Sequence, residues 1–520
     1  MFKLPKSIIK SAGRAIKEDP EVNRLKNKFP KASRFIKQRL SPDEKFGLYL
    51  TIGIIISFVF IFLFFSVVNS LEKQKPLIQA DSRIINLFET IRDPELNDIV
   101  LFITYLGEGT IVVLGAFFVI LCLLFIKKRN YAVALSISII FGEVFVWLIK
   151  RIVQRPRPSS MVALIPESSF SFPSGHAFIA VTFYGLIAYF LFRESKNKLQ
   201  KTLLVLFGLI LILGIGISRI YLGVHWPSDV LASYAAGAAW LAVLITSLEI
   251  RRKFNNQHKE SFEKPLKTSK LSKKDFENYV KNEGYSKSSK EKVTNQDKAK
   301  SLGMILFIIW VIYLIYFFNA HPLQTPIMKI DSIKLSESEI PEGFFTNFSR
   351  YSEDITGTTI EPINLIFMGS KEQLESSFKK ANWVKTDPIR FRSMLRLVKA
   401  RLYNAPYDQA PGVPSFWNTF PNDFAYEQPT EKHSILERHH IHFWKTPFLV
   451  NETNVWFATA HYDNSVASGL RVIFAVHKID PAIDKEREKI KLDVERTGLI
   501  NKIEDFQIVK LTAGTNSAGN

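Results

Sequence analysis

Two histidines, an aspartate and three basic residues occur at spacings suited to phosphoryl chemistry. His225 precedes Trp226-Pro227 and stands four residues before Asp229. Because proline suits the first turn of a helix, Asp229 is expected one helical turn further on, on the same face as His225. Its carboxylate can accept a hydrogen bond from one imidazole nitrogen, which fixes the tautomer and leaves the other nitrogen free as a nucleophile. This segment therefore holds a candidate nucleophile and the acid that orients it.

A second cluster, Pro173-Ser174-Gly175-His176, opens an apolar segment. The start of a helix presents backbone N–H groups to an anion, and Gly175 lets the anion approach closely. The Ser174 hydroxyl adds a donor, and His176 can give a proton to a leaving oxygen. The cluster is a candidate phosphate site with a general acid.

Three basic residues complete the constellation: Lys150, Arg157 and Arg219. Arg219 offers a planar fork for phosphate oxygens. Three cations around one site would match the negative charge that spreads over a phosphoryl group during transfer. No carboxylate cluster accompanies them, so we expect neither a metal ion nor another cofactor at this site.

Two acids are candidate groove residues beside these clusters. Glu143 lies in an apolar segment, seven residues before Lys150. It is expected to neutralise Lys150, to line a lipid groove or to hydrogen-bond a neighbouring helix. Glu108 is expected at the outer rim of another segment, as a solvated acid within reach of a head group.

Seven apolar segments must position these residues, because each is close to the about 20 residues that span a bilayer. They are Gly47–Val68, Gly109–Ile126, Tyr131–Ile149, Phe172–Phe192, Thr202–Ser218, Val230–Leu248 and Leu302–Phe318. The predicted fold is an all-α polytopic membrane helix bundle, with a six-span core and a seventh span, followed by an α+β soluble extracytoplasmic domain. The predicted divisions are a basic N-terminal arm (1–46), the six-span core (47–250), a flexible basic linker (251–300), the seventh span (301–319) and the outer domain (320–520).

The basic residues are unevenly placed, and this predicts the orientation. Residues 1–46 hold 13 Lys and Arg against 5 Asp and Glu, residues 249–300 hold 15 against 8, and residues 319–520 hold 24 against 25. This pattern argues against nucleic-acid binding and puts the first two regions in the cytoplasm. The three clusters and residues 320–520 then lie outside. The basic loop Lys150–Arg157 opposes the rule, which indicates that its charges serve a function.

In these three motifs the sequence resembles the type 2 phosphatidic acid phosphatase superfamily, over about residues 47–248. The resemblance implies a metal-independent enzyme that cleaves lipid phosphomonoesters or pyrophosphates at the membrane surface. It implies that His225 becomes phosphohistidine, that Asp229 orients it and that His176 protonates the leaving group. It assigns phosphate binding to Lys150, Arg157, Ser174, Gly175 and Arg219.

The outward-facing site makes undecaprenyl pyrophosphate a reasonable substrate, and phosphatidic acid and phosphatidylglycerol phosphate stay open. Two other functions also stay open. One is phosphotransfer to the hydroxyl group of another lipid. The other is a non-enzymatic role, in which the bundle anchors the outer domain and binds membrane lipids.

The outer region resembles the LssY-like C-terminal domain in His439–Thr446, Val455–Asp463 and His477–Glu488. This resemblance implies a bacterial protein of the cytoplasmic membrane whose outer domain binds head groups, cell-wall material or a protein partner. In a strand, His440, His442 and Trp444 would share one face. Because no tight spacing forces His439, His440, His442 and His461 together, we expect packing and surface histidines rather than a zinc site.

Local signals predict several elements outside the core. Ser370 with Gln373 forms a capping box ahead of a helix. Further helices are predicted from Asp387-Pro388 to Arg401, from Asp480-Pro481 to about Gly498, and around Lys273–Asn282. Strands are predicted at Asn364–Met368, Val455–His461 and Leu470–His477.

Overall fold

A computed structural model describes most of the chain. The described residues are 19–40, 47–73, 76–159, 162–268, 289–323, 332–403, 405, 407–429, 438–466, 477–479 and 482–508. In chain order the helices are α1 (Pro20–Lys28), α2 (Pro30–Leu40), α3 (Leu48–Glu72), α4 (Pro76–Thr90), α5 (Pro94–Tyr105), α6 (Gly109–Phe125), α7 (Arg129–Val153), α8 (Gly175–Glu194), α9 (Lys198–Tyr221), α10 (Pro227–Thr268), α11 (Ser289–Ala320), α12 (Lys371–Lys380), α13 (Phe391–Tyr403) and α14 (Ile483–Glu495).

The predicted membrane bundle is confirmed. Among the described residues six helices, α3 and α7–α11, are long and apolar enough to cross a membrane. Helices α5 and α6 form a pair bent by 50° that makes a seventh candidate span. The protein is therefore a multi-pass membrane protein.

The outer surface of the bundle is apolar, as expected of a surface that faces lipid. Bulky side chains point outward, and Phe58, Phe207 and Ile210 are each about two-thirds exposed. Helices α3 and α10 approach closely at a small residue, because a Cβ on Gly53 would lie 2.0 Å from Thr246 Oγ1. Small residues at such contacts let helix backbones pack tightly where lipid removes the usual hydrophobic driving force.

Helix α4 was not predicted from the sequence. It connects the bundle to the C-terminal region, which we call the outer domain after its predicted location. Its Arg83 forms an ion pair with Glu353, and its Asn86 Nδ2 donates to Thr419 O at 2.9 Å. Helix α4 is amphipathic and too polar to resemble a span. Its Asp81, which is buried, faces the membrane bundle instead.

Helix α8 contains one wide turn, Ala180–Tyr184, in which the hydrogen bonds follow a π-helical pattern. Such turns inside α-helices frequently lie near functional sites. Here the wide turn begins four residues after His176. It belongs to the most buried of the candidate spans.

The outer domain mixes strands and helices, as predicted. Its strands are β1 (Ile333–Leu335), β2 (Tyr351–Glu353), β3 (Thr359–Pro362), β4 (Leu365–Met368), β5 (Val384–Lys385), β6 (Phe416–Trp417), β7 (Phe420–Pro421), β8 (Phe424–Pro429), β9 (Arg438–Val450), β10 (Thr453–Val466) and β11 (His477–Ile479). The larger sheet has the order β11-β10-β9-β8-β5, with β1 beside β9 and β4 beside β10. The smaller sheet has the order β3-β2-β6-β7.

Most local predictions for the outer domain are confirmed, with shifted boundaries. The Ser370 capping box begins α12, and strands β4 and β10 match the predicted strands. Helix α13 begins at Phe391 rather than at Asp387, and the Asp387 carboxylate accepts a hydrogen bond from the Tyr407 hydroxyl at 2.6 Å. Residues 470–476 of the third predicted strand lie outside the described residues, and so does the predicted helix Lys273–Asn282.

The predicted flexible linker, 251–300, is helical at both of its described ends. Helix α10 continues to Thr268, and α11 already begins at Ser289. The linker was predicted from a composition rich in Lys, Ser, Asn and Glu, and two of these residue types, Lys and Glu, are good helix formers in an exposed helix. The boundaries of the five predicted divisions stay predictions.

The predicted orientation can be tested with single cysteines in a Cys122→Ser background, since Cys122 is the one cysteine of the chain. Lys196 lies between α8 and α9, Thr346 lies in the outer domain, and both are exposed. We expect a membrane-impermeant maleimide to label Thr346→Cys in intact spheroplasts and Lys196→Cys only after permeabilisation. The reverse pattern would contradict an outward-facing domain.

Candidate active site

His225 is buried in the turn between α9 and α10. Gly223 makes this turn possible, since its φ is +72° and a Cβ there would lie 2.7 Å from Val162 O. Arg157 Nη1 lies 3.2 Å from His225 Nε2, and Asp229 Oδ2 lies 3.4 Å from His225 Nδ1. Because a guanidinium group can only donate, this contact requires an unprotonated Nε2 and puts the proton on Nδ1.

Burial lowers the pKa of His225 well below its ordinary value, and the nearby charges of Arg157, Arg219 and Lys150 lower it further. The ring is therefore neutral at physiological pH. Its Nε2 lone pair faces the cations. This is the state that a nitrogen nucleophile needs.

Asp229 is fully buried and held by several donors. Its Oδ2 accepts from Trp226 N at 3.0 Å and from the Ser171 hydroxyl, and its Oδ1 accepts from Arg155 Nη1 at 2.6 Å. The Trp226 contact also caps the start of α10. His225 and Asp229 are thus in contact as predicted, but His225 lies in the turn before α10 and only Asp229 belongs to the helix.

A second acid supports this arrangement from α4. Arg155 Nη2 donates to Asp81 Oδ2 at 2.7 Å, and Ser228 N donates to Asp81 Oδ1 at 2.9 Å. Burial raises the pKa of Asp81, while its bonds to Arg155 and Ser228 oppose that rise. Arg155 therefore lies between two buried carboxylates, Asp81 and Asp229, and fixes their relative position.

The predicted cations meet around one cavity of about 190 Å³. Its lining includes Lys150, Arg157, Gly175, His176 and His225. Arg219 is buried beside it, and its Nη1 donates to Thr104 Oγ1 at 3.0 Å. Glu143 also lines the cavity, and Lys150 Nζ donates to Ser169 Oγ at 2.8 Å. The structure thus brings the basic residues and both histidines to one place.

Two predicted residues have contacts that the sequence did not predict. Glu108 was expected to be a solvated interfacial acid, but its Oε2 lies 3.1 Å from His176 Nε2. This contact joins the start of α6 to the start of α8, so it depends on how the two helices pack. Ser174 Oγ accepts a hydrogen bond from Ala177 N at 3.5 Å and so caps α8. Because this oxygen acts as an acceptor, the hydroxyl hydrogen can still donate to a phosphate, and that predicted role stays a prediction.

Glu167 was not predicted, and it occupies the cationic end of the cavity. Its carboxylate pairs with Arg219 and lies 3.2 Å from Arg157 Nη2. Burial on its own raises the pKa of Glu167, but the two guanidinium groups outweigh burial and hold that pKa at about 2. An anionic carboxylate thus lies against two of the basic residues that are predicted to bind phosphate. We expect Glu167 to lose these contacts if a phosphate binds the two arginines.

The residues missed by sequence reasoning differ in how detectable they are. Arg155 belongs to the run Arg155-Pro156-Arg157-Pro158, so a second functional arginine could have been suspected. Asp81 and Glu167 lie in segments without a motif, and only the tertiary fold brings them to His225. No local spacing signals either of them.

This site, a buried histidine among cations at the end of a membrane bundle, is that of a membrane phosphatase. The PAP2 superfamily matches residues 130–253, and the LssY C-terminus family matches residues 345–520. The chain is 35% identical to Phosphatidylglycerophosphatase B of Bacillus subtilis over 188 residues, 34% of this chain and 88% of that protein. It is 32% identical to the Undecaprenyl-diphosphatase of Sulfolobus acidocaldarius over 134 residues, 25% of this chain and 60% of that protein.

Among solved structures, a transmembrane PAP2 type phosphatidylglycerolphosphate phosphatase from Bacillus subtilis is 28% identical. The match covers 38% of this chain and 96% of that chain, with a TM-score of 0.32. The sequence relatives show that the chain belongs to the PAP2 superfamily. It is a phosphomonoester or diphosphate hydrolase that carries an additional LssY C-terminal domain.

The position of Glu167 predicts competition with phosphate. We expect Glu167→Gln to lower the inhibition constant of inorganic phosphate by about 3- to 10-fold, because the two arginines lose an anionic partner. The measurement is phosphate inhibition of aryl phosphate hydrolysis in detergent. Glu143→Gln is the matched control, since Glu143 lines the same cavity and should change this constant less. Weaker phosphate inhibition in Glu167→Gln would show instead that Glu167 holds the arginines in place.

Proposed function

We propose that the protein is a metal-independent lipid phosphatase that works through a phosphohistidine. His225 Nε2 attacks phosphorus, the P–N bond forms and the bond from phosphorus to the leaving oxygen breaks. Water then attacks the phosphohistidine, breaks the P–N bond and releases inorganic phosphate. The observation that carries this proposal is the buried imidazole with Asp229 at Nδ1 and Arg157 at Nε2.

The roles of the remaining residues follow from their contacts. His176 protonates the leaving oxygen, and Glu108, 3.1 Å from its Nε2, orients the ring. Lys150, Arg157 and Arg219 bind the phosphoryl oxygens and offset the charge that develops in the transition state. Gly175 lines the cavity at the start of α8, where backbone N–H groups can donate hydrogen bonds to a phosphate oxygen. Ser174 stabilises this helix start by capping it.

Metal independence is proposed because the protein's own cations supply the charge. In metal-dependent phosphoryl transfer the metal ion neutralises the phosphate oxygens. Here the two guanidinium groups and one ammonium group surround the reacting nitrogen and can take that role. The expectation is activity that persists in EDTA.

The cavity supports a lipid substrate that enters only by its head group. Its volume of about 190 Å³ is smaller than the ~300–1,000 Å³ of pockets that enclose a drug-sized ligand. A phosphate fits, while long acyl or prenyl chains must remain in the bilayer. According to their names, the two relatives reported above act on phosphatidylglycerol phosphate and on undecaprenyl diphosphate. With the site on the outer face, we propose undecaprenyl pyrophosphate as the first substrate to test.

The proposed function can be tested by phosphate release from a lipid panel in detergent with EDTA. The panel contains undecaprenyl pyrophosphate, phosphatidic acid and phosphatidylglycerol phosphate. We expect release from at least one lipid, and a loss of at least about 1,000-fold in His225→Ala because the nucleophile is gone. Lack of release from every lipid, or activity that persists in His225→Ala, would contradict the proposal.

The role of His176 can be separated from that of His225 by changing the leaving group. We expect His176→Ala to slow lipid phosphate hydrolysis by about 100- to 10,000-fold, because the departing alkoxide lacks a proton donor. An aryl phosphate with an acidic phenol needs no such proton, so its hydrolysis should fall much less. His225→Ala should lose both activities. Equal losses on both substrates in His176→Ala would exclude a general-acid role.

A further inference from the structure

Three histidines of the outer domain converge on the face of the larger sheet, contrary to the expectation from their spacing. His440 on β9 stands directly opposite His461 on β10, and His442 is on the same face of β9. All three are buried. Their candidate ligand nitrogens lie within 4.8 Å of one another. His439, the fourth candidate, points to the opposite face and contacts Glu486 at 2.8 Å.

We call His440, His442 and His461 the histidine trio. Two buried carboxylates contact members of this trio. Glu361 Oε1 lies 3.0 Å from His461 Nδ1, and Glu427 Oε1 lies 3.3 Å from His440 Nδ1. A carboxylate that accepts from Nδ1–H leaves the Nε2 lone pair available. His461 has this hydrogen bond to Glu361. It is the outer-shell arrangement that metal-bound histidines almost always have, because it fixes the tautomer and raises the basicity of the ligand.

The carboxylates come from different strands and sheets. Glu427 lies on β8, opposite His440, so that Glu427, His440 and His461 form one row across three strands. Glu361 lies on β3 of the smaller sheet. The trio is therefore enclosed between the two sheets of the domain. A bound ion would link them through His461 and Glu361.

The charges around the trio favour a cation. Glu427 and Glu361 are both buried, and Arg438 pairs with Glu427. The partner that the structure describes for Glu361 is His461. A buried carboxylate requires a positive or hydrogen-bonding partner. A metal ion on the His461 ring would supply positive charge to that pair.

We propose that His440, His442 and His461 bind one zinc ion in the outer domain. Neutral imidazoles suit zinc and related transition metals, whereas magnesium and calcium prefer oxygen ligands. Tetrahedral zinc with Zn–N bonds of about 2.1 Å places its ligand atoms about 3.4 Å apart. The three nitrogens, which lie within 4.8 Å of one another, would need to approach by at most about 1.4 Å to reach that separation. Three protein nitrogens leave a fourth position for water or a carboxylate oxygen.

This zinc site shares no residue with the cavity at His225. The zinc proposal is therefore independent of the proposed phosphatase mechanism, and either one can fail without the other. Its predicted role is to hold the two sheets together. Phosphatase activity is accordingly not the readout of its test.

The test is the metal content of the full-length protein, purified in detergent through a tag without histidines. We expect about one zinc per chain by mass spectrometry of the metals, and almost none in His442→Ala. His439→Ala is the matched control, because His439 is the neighbouring histidine of the same strand on the opposite face. It should keep its zinc.

A second measurement covers the case in which His442→Ala does not fold. The wild-type protein is stripped with a strong chelator and reloaded with Co²⁺, whose visible absorption reports a tetrahedral nitrogen site. We expect this absorption, its displacement by zinc, and a higher Tm with zinc than without it, in the wild type and in His439→Ala. Wild-type protein that carries no zinc and binds neither ion would overturn the proposal, leaving packing histidines only. A folded His442→Ala with a full zinc complement would overturn it as well.

Discussion

The site depends on keeping one imidazole neutral beside several positive charges at the end of an apolar bundle. Burial disfavours a protonated His225, and Arg157, Arg219 and Lys150 repel it further, so the pKa of His225 falls. The same cations need compensation before a phosphate arrives. Glu167 provides a negative charge beside Arg157 and Arg219, and Ser169 Oγ accepts a hydrogen bond from Arg157. The proposed nucleophile and the proposed preference for a phosphate substrate therefore both depend on one local excess of positive charge.

A second layer of buried polar contacts holds this arrangement. Asp229 orients His225, Arg155 links Asp229 to Asp81, and Asp81 belongs to α4. The same helix contacts the outer domain through Arg83 and Glu353. Helix α4 thus connects the proposed catalytic residues to the LssY C-terminal domain through a short series of side-chain contacts.

Much of the fold and the centre of the site could be predicted from sequence, and the reasons are local. The spans follow from the length of apolar runs, and His225 meets Asp229 because the turn that holds His225 leads directly into the first turn of α10. Asp81 and Glu167 could not be predicted, since their approach depends on how distant segments pack. The same holds for the histidine trio: strand alternation puts His440 and His442 on one face, but the register of β8, β9 and β10 brings in Glu427 and His461.

The central claim is that phosphorus becomes bonded to His225, and trapping the intermediate tests it most directly. The protein would be quenched during turnover of a ³²P-labelled lipid phosphate and digested at alkaline pH. The account predicts an acid-labile, alkali-stable label on the peptide that contains His225, absent from His225→Ala. A label on another residue, or turnover without any covalent label in rapid-quench samples, would contradict it.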